Sequence, residues 1–324
     1  MKPFLSITIP TYNRVDCLKK AVGAILEQVG EDPQVELVIS DNGSTDGTFA
    51  FGIDCAGRYP RVRYFRNEAN EGFDTNVLAC VQRAEGTYIS FFSDDDLPAP
   101  RFFENVLKRL RDDRPTILYV NHTSFYNGNP ACLGLPQAAV ETFSTDDGKA
   151  FYMKCGLGFL SALTVYADTA RQFTGKVVQG RGSAHLDIAT RLALTGGGVF
   201  VYDGRLMVLA HYQEGASSNL LRYGVINVTK VHEALHCEGL LSGKELAKLK
   251  RQMISGPMPR AILVNRYQRD SGESEQELRG IYGSDPLYYL YAYPLLALPR
   301  KLIRSLALSL RSLVRIGRRF RHAD

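Results

Sequence analysis

Short runs of β-branched and aromatic residues alternate with helix-length segments between residues 4 and 121. This alternation is typical of βαβ units and predicts an α/β fold, a mostly parallel sheet flanked by helices. The predicted strands are Phe4–Ile9, Val35–Ser40, Val62–Phe65, Thr87–Phe92 and Ile117–Val120. The helices predicted between them lie near Asp16–Glu27, Asp46–Arg58, Asp74–Ala84 and Ala99–Arg111. Because open sheets of this kind bind ligands at the carboxyl ends of their strands, we expect the chemistry in the loops there.

The pattern loosens after residue 121. Further strands are predicted at Leu160–Tyr166, Val199–Tyr202 and Leu206–His211, with a helix at Ala184–Thr195. From about Leu220 onward the sequence predicts helices interrupted by prolines. We therefore divide the chain into an α/β domain at residues 1–215, a helical region at 216–298 and a terminal helix at 299–324.

The positive charge of the chain is concentrated in its terminal segment. The chain carries a net charge of +5, and residues 300–324 hold eight Lys or Arg against one acid, so the rest sums to −2. On a helical wheel Leu302, Leu306 and Leu310 share one face and the arginines the other, which favours a basic amphipathic helix on an anionic membrane. The alternative is a surface helix that packs on the body of the protein. A nucleic-acid partner is disfavoured, because the body lacks a broad positive charge.

Two further features concern location. The apolar run near the N-terminus is about six residues, too short for a signal peptide or a membrane span, so we expect a cytoplasmic protein bound peripherally to the inner-membrane surface. Four tyrosines lie just before the basic segment and could form either an interfacial aromatic belt or part of a core: Tyr288, Tyr289, Tyr291 and Tyr293. The six cysteines are widely spaced, which argues against a zinc site or a disulfide framework.

Three polar motifs follow predicted strands. They are Pro10–Arg14 after the first strand, Asp41–Asp46 after the second and Ser93–Asp96 after the strand that ends at Phe92. Each alone is explained by a turn or a helix cap. The three consecutive aspartates are more informative, because carboxylates at that spacing repel one another unless a cation neutralises them. Mg²⁺ or Mn²⁺ bound through carboxylates is the usual solution beside phosphates.

Together the motifs resemble the family 2 glycosyltransferases of the GT-A fold. The resemblance rests on SITIPTYNR at 6–14, VISDNGSTDGT at 38–48 and NEGFDTNVLACVQRAEGTYISFFSDDD at 70–96. It covers about the first 210 residues. The S-D-D-D form of the acid motif is similar to that of abequosyltransferase-like enzymes of the O-antigen type.

The resemblance implies roles for particular residues. Nucleotide-binding positions would be Pro10, Thr11, Tyr12, Arg14, Asp41, Asn42, Gly72, Asp74 and Asp94. Asp94 is included because Ser93 replaces the first acid of the D-x-D motif, which normally contacts the ribose. Ligands for Mn²⁺ or Mg²⁺ would be Asp95, Asp96 and His211.

The catalytic base is less well defined. Relatives carry it in an E-D pair about six residues before a helical Arg, and here Ala184-His185 occupy those positions before Arg191. His185 is one candidate because its ordinary pKa suits a base at neutral pH. Asp187, two residues on, is the other.

The predicted function is an inverting, metal-dependent glycosyltransferase. It would move a sugar from a nucleotide-sugar donor to a hydroxyl of a polysaccharide or lipid-linked oligosaccharide acceptor. The alternatives are a sugar nucleotidyltransferase, disfavoured by the absence of glycine from Pro10–Arg14, and a non-catalytic nucleotide-sugar-binding or scaffold protein, favoured by the missing E-D pair.

Overall fold

A computed structural model describes residues 2–126, 129–131, 140–177, 179–195, 197–212, 220–268, 272–299 and Leu302. The chain divides into two compact units, Met1–Ala216 and Ser217–Asp324. Within the described ranges no helix is both long and apolar enough to cross a membrane. The helix predicted at 299–324 lies outside the described residues, apart from Pro299 and Leu302.

Ten strands of the described residues form one mixed sheet in the first unit. They are β1 (Leu5–Thr11), β2 (Val35–Asp41), β3 (Val62–Arg66), β4 (Tyr88–Phe91), β5 (Asp96–Pro98), β6 (Ile117–Tyr126), β7 (Asn129–Ala131), β8 (Val140–Phe143), β9 (Leu163–Tyr166) and β10 (Phe200–Tyr212). The order is β3-β2-β1-β4-β9-β6-β10-β5, with β7 on β6 and β8 on β10. Strands β1 to β4 are parallel, whereas β9 runs antiparallel to both β4 and β6.

Helices cover the sheet of the first unit. They are α1 (Val15–Val29), α2 (Thr48–Arg58), α3 (Phe73–Arg83), α4 (Phe102–Asp113), α5 (Gly148–Cys155), α6 (Ala167–Arg171) and α7 (Ala184–Thr195). Apolar spacing explains how they pack: α1 buries Leu18, Ala21, Val22 and Ile25, which share one helical face. Strands β1 and β2 are buried at every position, as expected for parallel strands covered on both sides.

The second unit is helical where it is described. Its helices are α8 (Asn227–Cys237), α9 (Gly243–Ser255), α10 (Pro257–Gln268), α11 (Gly272–Tyr282), α12 (Pro286–Tyr291) and α13 (Tyr293–Ala297). Their core includes Val225, Ile254, Ile262 and Tyr288. The four tyrosines before the basic segment therefore divide, because Tyr288 is buried in this core while its three neighbours are 44–46% exposed.

The register of the parallel strands places their ends at one edge. Thr11 pairs with Asp41, which pairs with Arg66, and the amide of Phe92 donates to Thr8 O at 2.9 Å. The loops that follow β1, β2, β3 and β4 therefore meet at the carboxyl edge of the sheet, as the sequence predicted. These loops contain the three polar motifs.

Candidate active site

The aspartates after β4 contact the loop after β1. Thr11 Oγ1 donates to Asp94 Oδ2 at 2.7 Å, and Ser93 Oγ donates to Asp95 Oδ1 at 2.5 Å. Arg14 reaches both acids: Nη1 lies 3.0 Å from Asp94 Oδ1 and Nη2 lies 2.6 Å from Asp95 Oδ2. The guanidinium of Arg14 thus offsets part of the negative charge of the acid cluster.

Asp94 and Asp95 differ in what can reach them. Asp94 is 3% exposed, and burial raises the pKa of its carboxyl to about 7 although Arg14 acts in the opposite direction. The side chain of Asp95 is 20% exposed and that of Arg14 is 33% exposed. Asp95 and Arg14 are therefore the charged groups of the cluster that a bound anion or metal can approach.

The third aspartate has a separate partner. Ser161 Oγ donates to Asp96 Oδ2 at 2.5 Å, and Asp96 is 4% exposed. Asp96 opens β5 and its backbone pairs with Ala210 of β10, one residue before His211. The side chain of His211 lies outside the described residues. Among the side chains that the structure describes, no three His, Cys, Asp or Glu groups converge on a metal-binding point. Asp96, predicted as a metal ligand, thus has one carboxylate oxygen bound to Ser161 in this structure.

Asp41 is buried beneath the loop that follows it. Its carboxylate accepts from Ser44 N at 2.9 Å and from the Tyr64 hydroxyl at 2.6 Å, with Arg66 Nε 3.7 Å away. The side chain is fully buried. The structure thus shows Asp41 shaping the loop, and a contact with a nucleobase would require the groups that cover its carboxylate to move.

Asn42 holds the loop after β3 in place. Its amide nitrogen donates to Asn70 Oδ1 at 2.8 Å and to Gly72 O at 3.1 Å, and its oxygen accepts from Asn67 Nδ2 at 3.0 Å and Glu71 N at 3.1 Å. Gly72 stands at the start of α3 with φ 88°, a conformation that favours glycine. Asn42 and Gly72 are therefore in contact, and this contact fixes the shape of the loop after β3.

An exposed aromatic and basic surface borders these loops. Pro10 is buried in β1, whereas Tyr12 is 40% exposed and Phe49, in the first turn of α2, is 50% exposed. The guanidinium of Arg66 lies 5.3 Å from the centre of the Phe49 ring. The motifs did not identify Phe49 or Arg66, although the position of Arg66 at the end of β3 could have indicated it.

Asp74 holds the segment that leads into α7. Its Oδ2 accepts the backbone amides of Arg181 and Gly182 at 2.8 and 2.7 Å, and its Oδ1 accepts those of Ser183 and Ala184 at 2.7 and 2.8 Å. The residue is 3% exposed. In this structure the carboxylate of Asp74, predicted to bind the nucleotide, accepts the amides that lead into α7.

The ring of His185 lies just inside α7. Its Nε2 is 3.1 Å from Gly158 O, and because a carbonyl only accepts, Nε2 carries the proton. Nδ1 is buried without a hydrogen-bond partner, and Phe73 packs on the ring with centroids 6.0 Å apart. Burial lowers the pKa of His185, so the ring is neutral near pH 7 and Nδ1 bears a lone pair.

The alternative base, Asp187, is committed to an ion pair. Arg191 Nε donates to Asp187 Oδ1 at 2.7 Å, and both side chains are at most 2% exposed. A base must reach the proton that it abstracts. Both residues are buried, and they differ in that Asp187 is held by Arg191 whereas Nδ1 of His185 has no hydrogen-bond partner.

Comparison with known proteins concerns the first unit. Residues 6–152 match the sequence model of the family described as Glycosyl transferase family 2. Over 93 residues the chain is 40% identical to the abequosyltransferase RfbV of Salmonella typhimurium, a stretch that covers 28% of each protein. The matched stretch is thus under a third of that relative. A match to an abequosyltransferase agrees with the resemblance expected from the acid motif.

Solved structures extend the likeness in fold. The Staphylococcus aureus TarS fragment 1–349 in complex with UDP-GlcNAc superposes with a TM-score of 0.61 at 14% identity, covering 93% of this chain and 86% of that one. A mannosyltransferase from Pyrobaculum calidifontis in complex with GDP-Man and Mn²⁺ gives 0.54 at 17% identity, covering 97% and 86%. Likeness at this identity shows the fold alone, and it confirms the predicted GT-A architecture.

Proposed function

Because the chain carries a family 2 glycosyltransferase domain at residues 6–152, we propose that it transfers a sugar from a nucleotide-sugar donor to a hydroxyl group. The acceptor is a polysaccharide or a lipid-linked oligosaccharide of the O-antigen type. The reaction is metal-dependent and inverts the anomeric carbon. The convergence of Thr11, Arg14, Asp94 and Asp95 at the carboxyl edge of the sheet carries this proposal.

That cluster suits a departing nucleoside diphosphate. Negative charge develops on the diphosphate as the sugar leaves, and cations placed in advance stabilise it. Arg14 is partly exposed and held only by carboxylates. It is therefore placed to bind a phosphate oxygen, with Thr11 and Asp94 fixing its position.

The donor groups also fit a divalent cation. Asp95 offers a partly exposed carboxylate, the ligand that Mg²⁺ and Mn²⁺ favour, and His211 is another candidate from its place in β10. Bound there, such an ion would act as a Lewis acid on the diphosphate. Asp96 stays the third predicted ligand, with its Oδ2 bound to Ser161.

His185 is the proposed base. Its neutral ring has one nitrogen fixed on Gly158 and a lone pair on the other. One base that activates the acceptor for in-line attack gives inversion, whereas retention by double displacement would need a second, nucleophilic carboxylate. Substitution of His185 by Gln should lower turnover about 100-fold or more while donor affinity is kept. Unchanged turnover in the His185→Gln variant would show that His185 is not the base.

The experiment that tests the function is a donor screen. Purified protein with Mn²⁺ or Mg²⁺ is given UDP-, GDP-, CDP- and dTDP-sugars, and nucleotide release is measured with and without chelator. Chelator-sensitive release from one donor is expected. Asp95→Asn should reduce it about 100-fold. The matched control is Asp112→Asn, which neutralises an exposed carboxylate paired with Lys108 on α4 and should leave the rate unchanged.

One observation favours a second candidate, a non-catalytic nucleotide-sugar-binding protein. The E-D pair is replaced by Ala184-His185, and the free nitrogen of His185 is enclosed. Donor binding by calorimetry without release from any donor, unaltered in His185→Gln, would favour this candidate.

We further propose that the protein works at the cytoplasmic face of the membrane. Support comes from the sequence of residues 300–324, which carries eight basic residues against one acid. Such a segment is attracted to anionic lipid.

A further inference from the structure

Helix α9 presents a row of basic side chains on its exposed side. Lys244, Lys248 and Arg251 are spaced by four and three residues, so they lie on one helical face. All three are exposed. Together with Gln252, Ser255 and Leu287 they line a cavity of about 470 Å³.

The cavity is positively charged. Its lining carries three cations and no acid. Two acids lie near it. Asp285 Oδ2 is 3.1 Å from Arg251 Nε and its Oδ1 accepts from Leu287 N at 3.0 Å, and Glu245, which follows Lys244, accepts from the amide and hydroxyl of Ser242. Two acids against three cations leave a net positive charge, which suits a phosphate group.

An exposed apolar surface adjoins this cavity. Leu287, at its edge, belongs to α12, where Leu290 and Tyr291 follow at helical spacings of three and four residues on the same face. Leu290 is 66% exposed and Tyr291 is 44% exposed. These residues lie within about 6 Å of Leu287 along the helix axis, at 1.5 Å per residue. Exposed large apolar side chains grouped in this way mark an interaction surface.

We propose that this surface docks on a bilayer that contains anionic phospholipid. We call it the basic–aromatic surface and define it by Lys244, Lys248, Arg251, Leu287, Leu290 and Tyr291. The cavity accepts the headgroup phosphate, and Leu290 and Tyr291 enter the interfacial layer.

Two features select a bilayer as the occupant. A positive cavity beside a tyrosine and a leucine matches the arrangement of an anionic interface, with charge outside and apolar groups beneath. The chain also continues from α13 into residues 300–324, whose sequence is strongly basic. The inference deepens the proposed membrane association by adding a contact outside residues 299–324, and it does not depend on the transfer reaction.

The first test measures binding of the full chain to vesicles by co-sedimentation. Vesicles of phosphatidylcholine with phosphatidylglycerol are compared with vesicles of phosphatidylcholine alone. The double variant Lys244→Gln/Lys248→Gln should bind the anionic vesicles about 30-fold more weakly, from about 1 kcal/mol for each basic residue near such a surface. The control, Lys19→Gln/Lys20→Gln on α1, makes the same change in net charge at exposed lysines and should cost less than about 3-fold. Equal losses in the two variants would overturn the proposal.

The apolar half of the surface has its own test. Leu290→Ser/Tyr291→Ser should weaken binding to both kinds of vesicle, since insertion of apolar groups does not depend on lipid charge. Both side chains are exposed, so the melting temperature should stay at the wild-type value, and its measurement guards against misfolding. Unchanged vesicle binding by this folded variant would contradict the proposed insertion.

A third experiment tests whether the surface binds a lipid headgroup or a soluble phosphate ion. Inorganic phosphate at the ionic strength of a chloride control should displace the protein from vesicles no more than chloride does. Selective displacement by phosphate, abolished in Lys244→Gln/Lys248→Gln, would mean a site for a soluble anion and would overturn the lipid assignment. Nucleotide release without vesicles should be equal in this variant and wild type, so failure of docking and failure of the transfer proposal are distinguishable.

Discussion

At the scale of single residues, His232 is the buried group with the clearest consequence for stability. It is 3% exposed, and burial lowers its pKa from 6.5 to about 4. As pH falls below 6.5 the unfolded chain takes up a proton that the folded chain excludes, so stability is full above that pH and is lost below it. Between about pH 7.5 and pH 5 the unfolding free energy should fall by about 2 kcal/mol from this group.

Denaturant unfolding at the two pH values measures the effect. His232→Gln should remove about 2 kcal/mol of the pH dependence, whatever its cost at neutral pH. His236→Gln, on the same helix, is the control and should keep the wild-type slope. An identical slope in the His232 variant would show that its ring is protonated as readily in the folded protein as in the unfolded one.

The sequence predicted that several candidate site residues meet at one sheet edge, but not which side chains they contact. It placed Arg14, Asp94 and Asp95 in loops of that edge, yet it did not predict the ion pairs of Arg14 with the two acids. The contact between Arg14 and Asp94 spans 80 positions along the chain, and the bond from Tyr64 to Asp41 depends on how β3 lies beside β2. Such pairings follow from strand order and side-chain direction, which a single sequence pattern does not contain.

At the scale of elements, α7 depends on a residue of α3. The four amides of Arg181 to Ala184 share the carboxylate of Asp74. Asp74→Ala should destabilise the first unit by at least about 2 kcal/mol, because those buried amides lose a charged acceptor. It should also lower turnover by displacing His185.

Hydrogen exchange is the direct measurement of this effect. The amides of residues 181–184 should exchange faster in Asp74→Ala, while those of α1 keep their protection unless the whole unit unfolds. Asp168→Ala, which removes an exposed carboxylate on α6, should change stability by less than about 0.5 kcal/mol. Protection at residues 181–184 equal to wild type would contradict the positioning role.

Elements with a strong pattern were predicted, and short or irregular ones were not. The strands that became β1 to β4 and the helices between them stand close to where the sequence placed them, because each is an apolar run bounded by turns. The strands predicted at Val199–Tyr202 and Leu206–His211 are one strand, β10, with a shift of register between Asp203 and Met207. Strand β5 has three residues and ends in proline, so it owes its pairing to β10 rather than to its own sequence.

At the scale of the whole molecule, charge is distributed unevenly along the chain. Residues 300–324 contribute +7 to a net charge of +5, so the rest is slightly negative. A body of that charge gains little from an anionic membrane, which places the long-range attraction in the terminal segment. The basic–aromatic surface would then act at short range.

If the terminal segment supplies the long-range attraction, loss of its arginines should weaken binding to anionic vesicles. The triple variant Arg315→Gln/Arg318→Gln/Arg319→Gln should bind anionic vesicles about 150-fold more weakly, at about 1 kcal/mol per charge. Raising the salt concentration should weaken wild-type binding more than binding by the variant, because fewer charges remain to be screened. Co-sedimentation across a salt series, with thermal unfolding alongside, measures both. If the segment instead packs on the body through its apolar face, Leu306→Ser/Leu310→Ser would lower the melting temperature without vesicles present, and the triple arginine variant would sediment like wild type.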